Sequence, residues 1–413
     1  MTPRRRGLRI ALALVTAAAL GACGGARANS EADDHTYVFW DPYPQFDAKS
    51  DWVRLVKGCG KSAGVDVKRT GFDGTELTTK ALLAAQQGTS PDVMVMDNPV
   101  VSTFVEAETL KTTRSLGLDI SPYERNIIAA GQVDGRTYGI PIGANTLALY
   151  YNKKVLRGAG VAPRDITDWA SLTRALQKVK ASGKKGITFS ALGTEEGTFQ
   201  FLPWFWGNGA KLRALDSPRA EAALKLWKGW LDAGYAPNSV LNNNQTSTWQ
   251  EFATGDYAFG LNGTWQLANA EESGIDYGVI PVPGARGGAA AAATGGEFVT
   301  APIQSDGSRY ATTKKIMSCL VSERNLLATD TALSYVAPVR AVQERQVREN
   351  PALAPWVEAV RTARGRTSGG LGTDYPLISE QLWTAFQNAL SGAQSPQDAL
   401  GTAQRVARED TAD

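Results

Sequence analysis

The residues of this chain best suited to chemistry fall into three aromatic clusters: Phe39-Trp40-Asp41-Pro42-Tyr43, the run from Phe199 to Trp206, and Asn262-Gly263-Thr264-Trp265. Each sets flat rings beside an acid or an amide. A sugar is the complementary surface, with apolar C–H faces edged by hydroxyls, so its site needs aromatic platforms and paired hydrogen-bonding groups such as Asp, Glu, Asn or Arg. Aromatics also fill cores, and Phe201, Phe205 and Trp206 read as core. Trp40 and Trp265 fall at the ends of strand-like runs, where ligands bind in open α/β sheets. Carboxylates offer a second chemistry: Glu196, Glu297 and Asp97 could supply the acid and nucleophile of a glycosidase. Glu195 and Glu196 diverge in any regular element and form no catalytic pair by themselves, and sugar-binding or solvated acids are the plainer reading. His35 is the only histidine, which excludes Ser-His-Asp and Cys-His nucleophiles in their usual form and the classical zinc sites. The glycine-rich stretch 284–296 lacks the spacing of a phosphate-cradling loop.

A different chemistry is written at the N-terminus. Arg4-Arg5-Arg6, an apolar run from Leu8 to Leu20 and then Gly21-Ala22-Cys23 describe a secretory signal, in a run too short for a membrane span of about 20 residues. The cysteine directly after two small residues resembles a lipobox, which implies cleavage after residue 22 and lipidation of Cys23. Loss of Arg4, Arg5, Arg6 and Arg9 lowers the Lys plus Arg count from 43 to 39 against 41 acids, a net charge near −2, which argues against nucleic acid. Residues 23–35 are small and polar and read as a flexible tether. The remaining chain, roughly 390 residues, exceeds what a single core usually serves and points to two lobes.

Strand-like and helical runs alternate onward from residue 36: strands near 36–40, 65–72 and 92–97 with helices near 47–63 and 75–87, then a second set after residue 150. Such alternation predicts α/β layering on a mostly parallel sheet. The Gly/Ala-rich stretch after Pro283 reads as a mobile connection. Cys59 and Cys319 each sit on an apolar helical face, Trp52, Leu55, Val56 and Cys59 following the i, i+3, i+4, i+7 pattern. Outside the cytoplasm two such cysteines are expected to be bridged, the other reading being two separately buried thiols.

The ordered motifs Thr78-Thr79-Lys80-Ala81-Leu82-Leu83-Ala84-Ala85, Pro91-Asp92-Val93-Met94-Val95-Met96-Asp97, Tyr138-Gly139-Ile140-Pro141, Asn145 through Lys153, and Phe252 through Trp265 together resemble the extracellular solute-binding proteins of ABC sugar importers, the family of maltose-binding protein. The resemblance implies a two-lobed, periplasmic-binding-protein-like α/β fold with a ligand cleft and three hinge crossings. It places the first lobe at 36–142 and 294–324, the second at 145–282 and 330–413, and the crossings at 143–144, 283–293 and 325–329. Both cysteine helices then share one lobe. The family's sugar-touching positions fall on Trp40, Asp41, Asp97, Asn98, Asn145, Glu196, Phe199, Trp204, Trp265, Gly296, Glu297, Arg366 and Tyr375. The implied protein is a non-catalytic, monomeric, lipid-anchored receptor that binds a mono-, di- or oligosaccharide without cofactor or metal and hands it to the membrane subunits of a permease. The first loop, Trp-Asp-Pro-Tyr, departs from that of maltose-binding protein and leaves the sugar open. A non-sugar solute such as a glycerophosphodiester or polyamine, needing an anion clamp or an acid-rich cage, and a surface glycosidase are the alternatives.

Overall fold

The computed structural model describes residues 35–411. The signal segment, Cys23 and all of the tether except His35 lie outside the described residues. The strands in chain order are β1 (Thr36–Asp41), β2 (Asp66–Gly71), β3 (Val93–Asp97), β4 (Gln132–Val133), β5 (Arg136–Thr137), β6 (Ile140–Pro141), β7 (Leu147–Asn152), β8 (Lys185–Thr188), β9 (Tyr257–Gly263), β10 (Tyr277–Ile280) and β11 (Glu297–Thr300).

The first sheet runs β2-β1-β3-β11-β6. Its β1, β2 and β3 are parallel, as the alternation with helices Asp51–Ala63 and Gly74–Gln86 requires. Local chemistry starts both helices: the Ser50 and Asp73 side chains accept from the Val53 and Glu76 amides, the usual remedy for orphan N–H groups at a helix start. Gly64, at φ 82°, closes the first helix in the left-handed conformation, as glycine does without penalty. The second sheet, β10-β7-β9-β8, is mixed, with β7 antiparallel to both β9 and β10 and β8 parallel to β9.

Two large cores accompany the two sheets. Phe39, Trp52, Val95, Phe104, Phe298 and Leu320 belong to the first, and Leu149, Phe201, Trp204, Trp227, Trp230 and Phe386 to the second. A smaller cluster joins Tyr150 of β7 to Trp249, Phe252 and Trp356. The helix Glu195–Gly207 is apolar on every side, and all of Phe199 to Trp206 is buried, as expected of a helix sunk in a core. Cys59 and Cys319 form a disulfide with their Cα atoms 5.5 Å apart, stapling helix Asp51–Ala63 to helix Tyr310–Leu320. The Asn325 amide donates to the Cys319 carbonyl at 2.7 Å and lies 3.3 Å from its sulfur.

Two expectations need correction. The stretch after Pro283 is a formed hairpin and not a mobile connection. Gly284 donates to Gly288 O, Ala290 to Val282 O and Ala285 to Gly207 O, the Trp169 indole caps Pro283 O at 3.1 Å, and Ala292 and Ala293 are buried in the second core. Small side chains permit this close docking: a Cβ on Gly284 would stand 2.8 Å from Gly287 O. The last passage between cores also lies later than 325–329. Leu326, Leu333, Tyr335, Ala337, Val339 and Val342 all pack in the first core, because the helix Glu323–Leu333 presents Leu326 and Leu333 on one face, seven residues apart.

Between the cores three chain segments lie edge to edge. Ala144 exchanges both backbone hydrogen bonds with Val336, and Asn145 does so with Gly295. Gly143 and Gly296 make this approach possible: a Cβ on Gly143 would stand 2.5 Å from Asp330 Oδ1, and one on Gly296, at φ 107°, would stand 2.4 Å from Gly143 O.

Candidate functional site between the lobes

β3 ends at Asp97 where its antiparallel neighbour β11 begins at Glu297, and the register sets the two residues directly opposite. Directly paired residues hold their Cβ atoms about 5 Å apart on one face of the sheet, so two carboxyl groups stand side by side at this edge. Across from them, helix Glu195–Gly207 opens with Glu195 and Glu196 in its first turn, where the helix dipole favours negative charge.

Arg366 links the two sides. Its Nη2 donates to Asp97 Oδ1 at 2.9 Å and to Asn98 Oδ1 at 3.1 Å, and its Nη1 donates to Glu195 Oε1 at 2.7 Å. The guanidinium lies 5.0 Å from the Phe199 ring centre, within cation–π range. Arg366 is only 3 % exposed. Burial alone would lower its pKa, but the Asp97 and Glu195 charges hold it well above the usual arginine value. Glu195 is fixed in turn by the Tyr375 hydroxyl at 2.6 Å and the Ser379 hydroxyl at 2.5 Å. Burial pushes the Tyr375 phenol well up, helped by the Glu195 charge, so it stays a donor.

Glu297 is the perturbed acid of the site. Burial and the Asp97 charge push its carboxyl up to about 7, against the pull of Tyr335, Tyr43 and Arg366. Glu297, Tyr43 and Tyr335 interact through their side chains as one buried group, while Arg366 Nε has no hydrogen-bond partner among the described residues. That nitrogen is a buried donor, and an unsatisfied buried polar group is costly.

Of the positions expected from sequence, Asp97, Asn98, Phe199, Glu297, Arg366 and Tyr375 meet in this cluster. Asn98 also bonds through Nδ2 to Thr294 O at 3.0 Å. Asn145 and Gly296 lie in the adjoining edge-to-edge strip. Trp265, half-buried, follows β9 in the short turn Thr264–Gln266, folds over Gly263 and stands 6.3 Å from the Phe199 ring. Glu196 accepts from the Gln245 amide and is pushed up by burial. Trp40 meets Phe72 edge-on at 5.2 Å at the margin of the first core.

Two expected contacts are corrected. Asp41 is completely buried and its carboxylate is filled by Arg69 at 2.5 and 2.7 Å, the Trp52 indole at 2.9 Å and the Tyr43 amide at 3.1 Å. Trp204 is wholly buried, packed edge-on against Trp230 at 5.0 Å. Glu195, Tyr43, Tyr335 and Ser379 were not among the expected sugar contacts. Two of them carried a signal: Tyr43, two residues past Asp41 in an aromatic loop, and Glu195, weighed with Glu196 as a carboxylate.

A family model of bacterial extracellular solute-binding proteins matches residues 54–355. The chain belongs to that family. A Brucella abortus binding protein is 30 % identical to this solute-binding protein over 169 residues, 38 % of this chain and 41 % of that one, so the match spans about two fifths of that relative's length. A maltooligosaccharide ABC transporter solute-binding lipoprotein of Streptococcus pneumoniae is 25 % identical over 300 residues, 67 % of each chain. The GacH receptor of Streptomyces glaucescens, solved unliganded and with acarbose, superposes with a TM-score of 0.79 at 26 % identity, covering 92 % of this chain and 98 % of its own. The two-lobed α/β architecture is that of such binding proteins. Among the described residues no helix is long and apolar enough to cross a membrane.

Proposed function

We propose that this solute-binding protein is a non-catalytic, lipid-anchored receptor that closes its lobes on a mono-, di- or oligosaccharide and presents it to the permease of an ABC importer. Its first lobe comprises about 36–142 with 297–342, and its second 147–293 with the chain after 356, following core membership. The observation that supports the reading best is the Arg366 cluster, where Asp97 and Asn98 from one sheet and Glu195 from the other lobe converge beside the Phe199 and Trp265 rings. Clefts of this composition suit a polyhydroxylated ring, and hinge closure is the usual motion of such receptors. A phosphodiester clamp is disfavoured because Arg366, the cation of the cluster, is already held by two carboxylates.

Calorimetry against a panel of neutral sugars tests this. Trp265→Ala should weaken binding by about 2 kcal/mol, roughly thirtyfold, whereas Trp206→Ala should lower the melting temperature with affinity retained. Full affinity in the Trp265 variant would remove that residue from the site. Cys23→Ala should release the protein from the membrane fraction, since acyl burial contributes about 0.8 kcal/mol per CH₂; unchanged fractionation would refute the anchor.

A further inference from the structure

We infer that Asp330 is a proton-dependent latch of the hinge: protonated, it seals helix Glu323–Leu333 against the first crossing segment, and ionised, it releases that segment. The latch acts whatever the solute. Asp330 lies in the last turn of the helix and is only 1 % exposed, yet among the described residues neither of its carboxyl oxygens has a hydrogen-bond partner. Its Oδ1 rests on Gly143, where an added Cβ would stand 2.5 Å away, and the Tyr335 ring presses on the same glycine, with Cδ2 2.6 Å from that position. Gly143 leads directly into Ala144, which exchanges backbone hydrogen bonds with Val336, and the Asp330 carbonyl accepts from the Tyr335 amide at 2.8 Å. The acid is thus wedged between the two segments whose pairing forms one side of the edge-to-edge strip.

A carboxyl group so placed can stay sealed only when neutral. Ionised, it is a buried charge without a counter-ion, and water must reach it. No neighbouring element supplies compensation. Tyr335 has its hydroxyl engaged with Glu297 and Tyr43, and segment 143–145 carries no ionisable side chain. On the packed helix Asp51–Ala63, Asp51, Arg54, Lys57 and Lys61 are all exposed, as are Glu323 and Arg324 at the far end of Asp330's own helix. On helix Tyr310–Leu320 the Tyr310 hydroxyl accepts from the Gln304 amide, Lys314 reaches towards Gly117 and Lys315 is exposed. Arg340, Glu344, Arg345, Arg348 and Glu349 on helix Arg340–Glu349 are exposed as well. Burial alone accordingly pushes the Asp330 carboxyl well above the usual carboxylate range. The sealed form holds a proton that an opened form, with an ordinary aspartate near 3.8, gives up. Above that value each pH unit therefore favours opening by about tenfold until the sealed carboxyl itself ionises, so the latch is complete in acid and weakens as pH rises.

Hydrogen–deuterium exchange at pH 5 and pH 7, corrected for the intrinsic exchange rate, tests the latch on the protein without solute. Peptides carrying Ala144 and Val336 should lose protection between the two by a factor of about ten or more, while peptides from β9, in the core of the other lobe, keep theirs. The same contrast should persist in Glu297→Gln, which removes the other carboxyl that titrates in this range. Asp330→Ala and Asp330→Asn should each abolish the pH dependence at Ala144 and Val336, so that either serves if the other folds poorly. Because neither oxygen has a partner, Asp330→Ala should also melt no lower than the wild type at pH 7. A pH dependence that survives in a folded Asp330 variant would overturn the latch. So would an equal loss of protection in β9, which would make Asp330 a burden on the whole fold and not a device of the hinge. Failure of both Asp330 variants to fold would overturn it too, since a carboxyl that only seals by being neutral is replaceable by a neutral side chain.

Discussion

Two aspartates end neighbouring parallel strands of the first sheet, and each meets an arginine. Asp41, at the end of β1, is closed off: Arg69 grips it with two nitrogens and Trp52 and Tyr43 complete its shell, all from within the same lobe. Asp97, at the end of β3, is left open: one nitrogen of Arg366 arrives from far along the chain, its own neighbour Asn98 supplies an amide at 2.8 Å, and the side chain stays 39 % exposed. The same residue type at the same kind of strand end thus holds a fold together in one case and faces a cleft in the other. What separates them is the origin of the partner, inside the lobe or across from it.

The comparison breaks most sharply on stability. Asp41→Ala leaves a buried guanidinium unpaired and should cost about 3–5 kcal/mol, measured by chemical denaturation. A loss as small as that of a surface pair would mean that Asp41 is no anchor. The closed side is further secured by the disulfide, since the Cys59 helix also carries Trp52. Replacing both cysteines with alanine should cost about 3 kcal/mol, with sugar affinity retained; an equal melting temperature would count against it.

The open side should instead answer to pH. The Glu297 carboxyl has an ordinary value of 4.5 and sits at about 7 in the fold, so between these values the native state binds more protons than the unfolded one. Stability contributed by this group is therefore complete below about 4.5 and lost as pH rises towards 7, on the order of 3 kcal/mol. Glu297→Gln should flatten that part of the stability–pH profile, and an unchanged slope would assign it elsewhere. The smallest effect belongs to Arg366→Ala, about 1–2 kcal/mol, because Asp97 and Glu195 are each about a third exposed and solvent screens the loss. Its readout differs in kind: small-angle scattering should show a larger radius of gyration as the lobes part, whereas Asp41→Ala should leave the folded dimensions unchanged.

Much of this was legible in the chain. The alternation of β1, β2 and β3 with capped helices, the pairing of the two cysteine helices and the convergence of Asp97, Glu297, Arg366 and Tyr375 all followed from local pattern and family resemblance. Asp41 misled because sequence shows an acid at a strand end but not that Arg69, one strand away, will fill it. Trp204 misled because helix Glu195–Gly207 is apolar all round and so carries no periodicity to mark which rings face the cleft. The Gly/Ala stretch read as mobile because its hydrogen bonds are made by backbone, which composition does not reveal. Tyr335 and Ser379 left no trace at all, their role arising only when distant segments meet.

The edge-to-edge strip between the cores has a mechanical consequence. Three independent strings would let the lobes twist, slide and splay. Ala144 bonded to Val336 on one side and Asn145 bonded to Gly295 on the other make a three-ply band, thin in one direction and broad in the other. Such a band bends easily about a single axis and resists torsion, as a leaf spring does. On the proposed closure, opening and closing would trace one arc and return the Asp97 and Glu195 carboxylates to the same relative position on every cycle.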